Sequence, residues 1–324
     1  MRYRKLGSSD LVVSEISLGT WLSYGEGEVR ARHIGCVRRA LDLGVTLFDT
    51  ANVYGWGEAE RLLAEALEGV PRDRYVLATK LWGPMTEADK GLSRAQVFKQ
   101  IDGSLTRLKT DYVDLYQCHR YDDETPLAET IEALSEVVRQ GKVRYLGFSE
   151  WPAGKVREAM AMVGVERFVS SQPQYSMLWR DPEAEVFPLG RDLGIGQLVW
   201  APLAQGVLAG RYPPGSKFPE GWRGESPAMS VHLRRWFSPP VLRAAQKLGP
   251  LAAAAGLTPA QFAVAWALDN PDVTSAIVGA SRPAQVEDTV AASGARVDAA
   301  LFRRAEQLLD AAMAQARREE TANV

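Results

Sequence analysis

Only two cysteines, Cys36 and Cys118, occur in 324 residues, so no disulfide framework is available; a reducing compartment, with the cytoplasm as the default, is expected. Histidine is almost as scarce. His33, His119 and His232 form no HxH or HExxH pair, so the clustered ligands of a metal-dependent barrel hydrolase are missing and no metal site is expected. No charge of one sign dominates: a net charge of −2 and a pI near 6.1 give no electrostatic reason for a nucleic-acid or anionic-membrane partner. No apolar run approaches the ~20 residues that span a bilayer, and MRYRKLGSSD does not read as a signal peptide. GWGEAE (55–60) lacks the third glycine of the GxGxxG turn that a doubly wound dinucleotide-binding sheet carries.

What is present is a regular alternation. Eight short β-type runs, EISLGT (15–20), VTLFDT (45–50), RYVLATK (74–80), VDLYQCH (113–119), VRYLGFS (143–149), FVSSQ (168–172), GQLVWAP (196–202) and TSAIVG (274–279), are separated mostly by intervals that suit a crossover helix. The helices have their own signals. Ser93 and Gln96 stand in capping-box spacing before Val97, Ile101, Leu105 and Leu108 on one face; Thr258, Pro259 and Gln261 repeat the pattern; Gly44 and Gly141 stand where a left-handed closing residue is wanted. Eight such units predict a single-domain (β/α)₈ barrel over 1–324, its core about 3–315, in preference to an open doubly wound sheet. A short N-terminal hairpin around Ser8, Ser9 and Asp10 is expected to cover the barrel's bottom. A long Pro- and Gly-rich loop (204–240) follows the seventh strand, and the tail QARREETANV is expected to be solvated and mobile.

A barrel makes position along a strand informative, because active sites lie at the C-terminal mouth. Asp49, Lys80 and His119 close the second, third and fourth strands, and Tyr54 follows Asp49 by five residues. A lysine ammonium beside a phenol lowers its pKa, Asp49 is placed to hold Lys80 charged, and His119 offers a ring nitrogen to orient a carbonyl oxygen. Each residue alone has an ordinary structural reading as a turn, a strand-end charge or a packed aromatic. Four at three consecutive strand ends describe a site that protonates a carbonyl oxygen while hydride arrives from elsewhere.

The segments FDTANVYGWGEAE, ATKLWG, DLYQCHR, GFSEW, SQPQYSML, APLAQGVLAGRY and IVGASRPAQVED, in this order, resemble the aldo-keto reductase family, in particular its branch of bacterial reductases and potassium channel beta subunits. The resemblance implies a barrel that binds NADPH/NADP+ without a Rossmann domain, with Asp49, Tyr54, Lys80 and His119 as the catalytic tetrad. It implies Thr20 and Trp21 near the nicotinamide ribose, with Asp49 also touching the cofactor. Ser149 and Gln172 would meet the carboxamide and Tyr175 would stack on the nicotinamide ring. Trp200, Leu203, Gly206 and Arg211 would cover the pyrophosphate, and Gly279, Ser281, Arg282 and Gln285 would hold the adenosine phosphate. Two departures stand out. Glu150 occupies a position where many relatives have Asn, and Asp288 and Thr289 replace a Glu-Asn pair that reads the adenine edge.

Trp21, Tyr24, Trp56, Trp82 and Trp179 fall on predicted mouth loops, which suggests aldehydes or ketones of apolar or aromatic character as substrates. The other reading implied by the resemblance is a nicotinamide-binding regulatory subunit that turns over slowly and acts through a partner. A homo-oligomer is left open.

Overall fold

The computed structural model describes residues 1–21, 27–216 and 235–322. Tyr24 and residues 217–234 of the long loop lie outside the described residues. Strands β1 (Tyr3–Lys5) and β2 (Val12–Ser14) pair antiparallel as a hairpin. Eight parallel strands follow: β3 (Ile16–Gly19), β4 (Leu47–Asp49), β5 (Val76–Leu81), β6 (Val113–Cys118), β7 (Val143–Phe148), β8 (Phe168–Ser171), β9 (Gly196–Trp200) and β10 (Val273–Val278). They close in sequence order, with β10 paired to β3 through Ala276 and Ile16. Every β-type run in the sequence is a barrel strand.

The strands are nearly all buried, β5 and β6 at every position, because helices cover the outside while alternate side chains fill the inside. Leu47, Val76, Ala78, Leu115, Val169, Leu198 and Ile277 form the small inner cluster, completed by Leu6 and Val13 of the hairpin. The hairpin therefore plugs the bottom. Gly7 sits there with φ +54, and any Cβ on it would collide with the backbone of Val169, Gly194 and Gly196, so the seal requires glycine. Arg4 donates to the carbonyls of Val273 and Leu268 and pairs with buried Glu15, tying the plug to the last strand.

The helices begin and end where their signals place them. Ser93 accepts from Gln96 N at the start of α3 (Arg94–Leu108), and Thr258 and Gln261 form a complete capping box on α9 (Pro259–Asp269). Gly44 and Gly141 take φ +83 and +75. At the C-terminus α11 (Ala299–Ala322) continues into the tail, where Ala316 is buried and Glu320 pairs with Arg235 while residues 315 and 317–321 are exposed. Ala, Arg and Glu are strong helix formers, and the apolar alanine face finds a surface to pack on.

Glu60, on α2 (Glu58–Ala66), is fully buried, yet it accepts from Thr79 Oγ1 of β5 and Arg107 Nε of α3, each at 2.6 Å. One carboxylate thus ties three elements beside the second and third strands. Glu60→Ala strands a largely buried guanidinium, and we expect a loss of about 3–5 kcal/mol. The check is a lower urea midpoint at unchanged slope. Glu60→Gln, which retains an acceptor for Thr79, should cost less.

Candidate active site

Asp49 ends β4, Lys80 lies one residue before the end of β5 and His119 follows β6, so parallel register brings them to one rim. Thr20 fixes the loop beside them by donating its N and Oγ1 to the carbonyl of Asp49. Tyr54 arrives by a tight turn, Tyr54–Gly57, in which Gly55, Trp56 and Gly57 all take left-handed φ of 57°, 50° and 90°. The flanking glycines permit this path. They explain why the phenol turns back over the mouth five residues after Asp49.

The four side chains meet. Lys80, fully buried, places Nζ 2.5 Å from Asp49 Oδ1, 2.9 Å from the carbonyl of Thr50 and 3.3 Å from the Tyr54 hydroxyl. That hydroxyl lies 3.5 Å from His119 Nε2. Burial works to lower the Lys80 pKa, but the Asp49 carboxylate and the Tyr54 oxygen together more than offset it and hold the ammonium above its ordinary value. Burial, joined by the positive charges of Lys80 and Arg120, pushes His119 well below the usual histidine range, so its ring is neutral. Tyr54 departs from the sequence expectation. Burial outweighs the pull of Lys80, with Asp49 adding to it, and the phenol pKa is raised. The phenol is therefore protonated at neutral pH and able to give a proton.

Other expected residues divide. Trp21 stacks on Tyr54 at 6.2 Å and meets Trp200 edge-on at 6.4 Å. Trp56 is 72% exposed on the rim, Trp82 follows β5, and Trp179 packs against the main core from the loop after β8. Gln172 donates Nε2 to Asp49 Oδ2 at 2.9 Å, and Ser149 donates Oγ to the Gln172 carbonyl. Leu203 packs on the core, and Arg211 crosses Gly206, which has φ +93. Beside Gly279, Ser281 donates both N and Oγ to Gln285 Oε1. Arg282 is exposed; its carbonyl accepts from Gln285 N, and its guanidinium has no hydrogen bond or ion pair among the described residues.

Tyr175 and Asp288 do not face the site. Tyr175 is fully buried against Phe187 and Trp266 of the helical layer, and its hydroxyl donates to Glu183 and accepts from Asn270. Trp200, edge-on to Trp21, stands at the mouth instead. Asp288 accepts from Thr258 Oγ1 and Gln261 Nε2, each at 2.9 Å, and thereby braces the α9 cap. Thr289 is likewise buried and bonds back to Gln285 O.

Three residues gain a place that motif spacing does not supply. Glu150, at φ +54, accepts from Gln174 N and Trp200 Nε1. Arg120 donates to the His119 carbonyl and Ser149 Oγ. Gln117 donates to Asp49 Oδ2 at 3.1 Å. A signal for Gln117 existed, since strand alternation puts it on the same face as His119.

A family model described as the aldo/keto reductase family matches residues 15–310. The chain belongs to that family. It is 38% identical over 302 residues to a probable voltage-gated potassium channel subunit beta of Arabidopsis thaliana, covering 90% of this chain and 91% of the relative. It is 36% identical over 302 residues to a putative channel subunit beta of Schizosaccharomyces pombe, covering 90% and 87%. An uncharacterized oxidoreductase of Bacillus subtilis is 35% identical over 318 residues, 94% of each chain. This aldo/keto reductase is an oxidoreductase of a family that generally uses a nicotinamide cofactor.

The neutral His119 has a measurable consequence. The folded ring resists a proton that the unfolded ring accepts near pH 6.5, so its contribution to stability is intact above that pH and lost as pH falls below it. We expect the unfolding midpoint in urea to fall between about pH 7.5 and about pH 5.5. In His119→Gln that fall should be smaller; an unchanged pH dependence would show that the ring titrates normally.

Proposed function

We propose that the protein is an NADPH-dependent reductase of aldehydes or ketones, with Tyr54 as the general acid. The observation that carries this reading is the Tyr54 hydroxyl set between a buried, acid-paired ammonium at 3.3 Å and a neutral imidazole at 3.5 Å, at the rim of a barrel sealed at its other end. The donor set suits a nicotinamide dinucleotide. Gln172 keeps Oε1 unbonded among the described residues, Trp200 stands at the mouth, and Ser281, Gln285 and the exposed Arg282 lie together after the eighth strand.

A bound reduced nicotinamide supplies the hydride. As negative charge develops on the substrate oxygen, Tyr54 transfers its hydroxyl proton to it, leaving a phenolate that the Lys80 ammonium stabilises. Asp49 keeps Lys80 charged and aimed. His119, neutral, orients the carbonyl oxygen through Nε2. Solvent returns the proton to Tyr54, which is partly open at the mouth. Trp21, Trp56 and Trp82 supply the apolar wall for the rest of the substrate.

A second reading, a nicotinamide-binding regulatory subunit, is favoured by the names of the channel-subunit relatives. A panel of aldehydes and ketones assayed with NADPH and NADH separates the two: appreciable turnover supports the reductase, and tight cofactor binding with negligible turnover supports the regulator.

Tyr54→Phe removes only the transferable proton. It should lower turnover by ~10²–10⁴-fold while NADPH affinity stays nearly unchanged. Near wild-type turnover in this variant would overturn the mechanism. In this reading Arg282 binds the phosphate that distinguishes NADPH from NADH through charge-assisted hydrogen bonds worth about 1.5–3 kcal/mol, roughly ten- to a hundredfold. Arg282→Ala should weaken NADPH by that factor and leave NADH nearly untouched, read by quenching of tryptophan fluorescence. Equal losses for both cofactors would make Arg282 structural.

A further inference from the structure

Beneath the Tyr54–Lys80 pair lies a closed ring of hydrogen bonds. Asp49 spends Oδ1 on Lys80, while its Oδ2 accepts from Gln117 Nε2 at 3.1 Å and from Gln172 Nε2 at 2.9 Å. The two glutamines meet each other, Gln172 Nε2 donating to Gln117 Oε1 at 3.4 Å. Gln117 is fully buried and Gln172 is 3% exposed, so water is not an alternative partner for most of this ring.

The polarity of the ring follows from Asp49. An ionised carboxylate only accepts, so both amides must turn N–H toward it. Gln117 is then left presenting its oxygen to the second N–H of Gln172. With both its N–H groups spent inward, Gln172 has only Oε1 to offer outward, and that oxygen makes no hydrogen bond among the described residues. Without Gln117, the carboxylate would lose one of two donors and the Gln172 amide one of the bonds that fix its orientation.

We propose that Gln117 is a positioning residue for the Tyr54 proton donor and for the Gln172 amide. It acts through Asp49 on one side and through Gln172 on the other, so one buried side chain aligns the acid and the outward-facing acceptor together. It touches neither substrate nor cofactor. The proposal uses the Proposed function reading only for its kinetic consequences; its structural core concerns the ionisation of Tyr54 and is testable without turnover.

Loss of a donor leaves the Asp49 charge less neutralised, and that charge disfavours the nearby phenolate. In Gln117→Leu the Tyr54 titration should therefore move upward by about half a pH unit or more. Difluorotyrosine brings the phenol titration toward neutrality, and ¹⁹F NMR of the cofactor-free protein reads it, with the Tyr54 signal assigned by Tyr54→Phe. In the same variant, turnover should fall about tenfold with little change in carbonyl KM, and the Kd for NADP+ should rise about threefold or more. A folded Gln117→Leu protein with an unmoved Tyr54 midpoint overturns the proposal. If no carbonyl is reduced even by the wild type but the midpoint moves, the positioning role stands and the reductase reading fails.

Gln117→Glu gives an independent test should the leucine variant not fold. A buried carboxylic acid beside Asp49 retains its proton to a raised pKa and donates it to Oδ2 as the amide does, but loses that ability once ionised. The Tyr54 midpoint of this variant should match wild type if the introduced carboxyl keeps its proton through the phenol titration and lie above it if the carboxyl ionises first, and its kcat/KM should approach wild type at low pH and fall away as pH rises. A constant ratio to wild type across pH overturns the proposal.

Discussion

The Asp49–Lys80 ion pair inside the barrel is the constraint on which the site depends. Taking two charges out of water costs several kcal/mol per ion, and the structure offsets this by giving the ammonium three partners and both carboxylate oxygens a donor. Thr50 supplies a carbonyl to Lys80, and Gln117 and Gln172 supply N–H groups to Asp49. Four strands contribute to or lead into this cluster. Their register is therefore fixed at the top by polar geometry and lower down by the apolar inner cluster, and the Tyr54 hydroxyl inherits its position from both.

Much of the fold is legible in the sequence for a plain reason. Strands covered on both faces must be short and apolar at nearly every position, and runs such as VLATKL and VDLYQC stand out from helical spacing around them. Asp49, Lys80 and His119 could be placed together because a parallel barrel sends all strand C-termini to one rim. Side-chain direction is another matter. Tyr175 belongs to a recognisable motif, but its backbone pairs with Trp200 and its ring fits between Phe187 and Trp266, a packing choice no spacing rule encodes. Asp288 is captured by Thr258 and Gln261 because the cap of another helix, α9, offers two donors.

Backbone strain was also invisible. Among the described residues, Trp56, Trp82, Glu150, Ala201, Ala204 and Gln205 take left-handed φ, all in loops at the C-terminal ends of strands; the remaining non-glycine case, Lys109, ends a helix. Such conformations cost of order 1–3 kcal/mol each and persist where surrounding structure over-determines them. The mouth carries this strain while the plugged base is tightly packed, a division of labour in which one end of the barrel supplies rigidity and the other supplies shape.

The β3–β10 seam has a consequence for how the chain is made. Ile16 leaves the ribosome early, but its partner Ala276 is among the last strand residues to emerge, and Arg4 of the plug waits for Val273 and Leu268. During synthesis the growing sheet has two open edges, and the polar cluster of Asp49, Lys80, Gln117 and Gln172 is assembled on a curved surface that has not yet closed. Pairing of such long sequence separation is slow, and unpaired edges invite association between nascent chains. The last strand is thus the latch of the barrel, and a chain truncated before it would retain the whole tetrad yet lack the closed wall that keeps water from the buried pair.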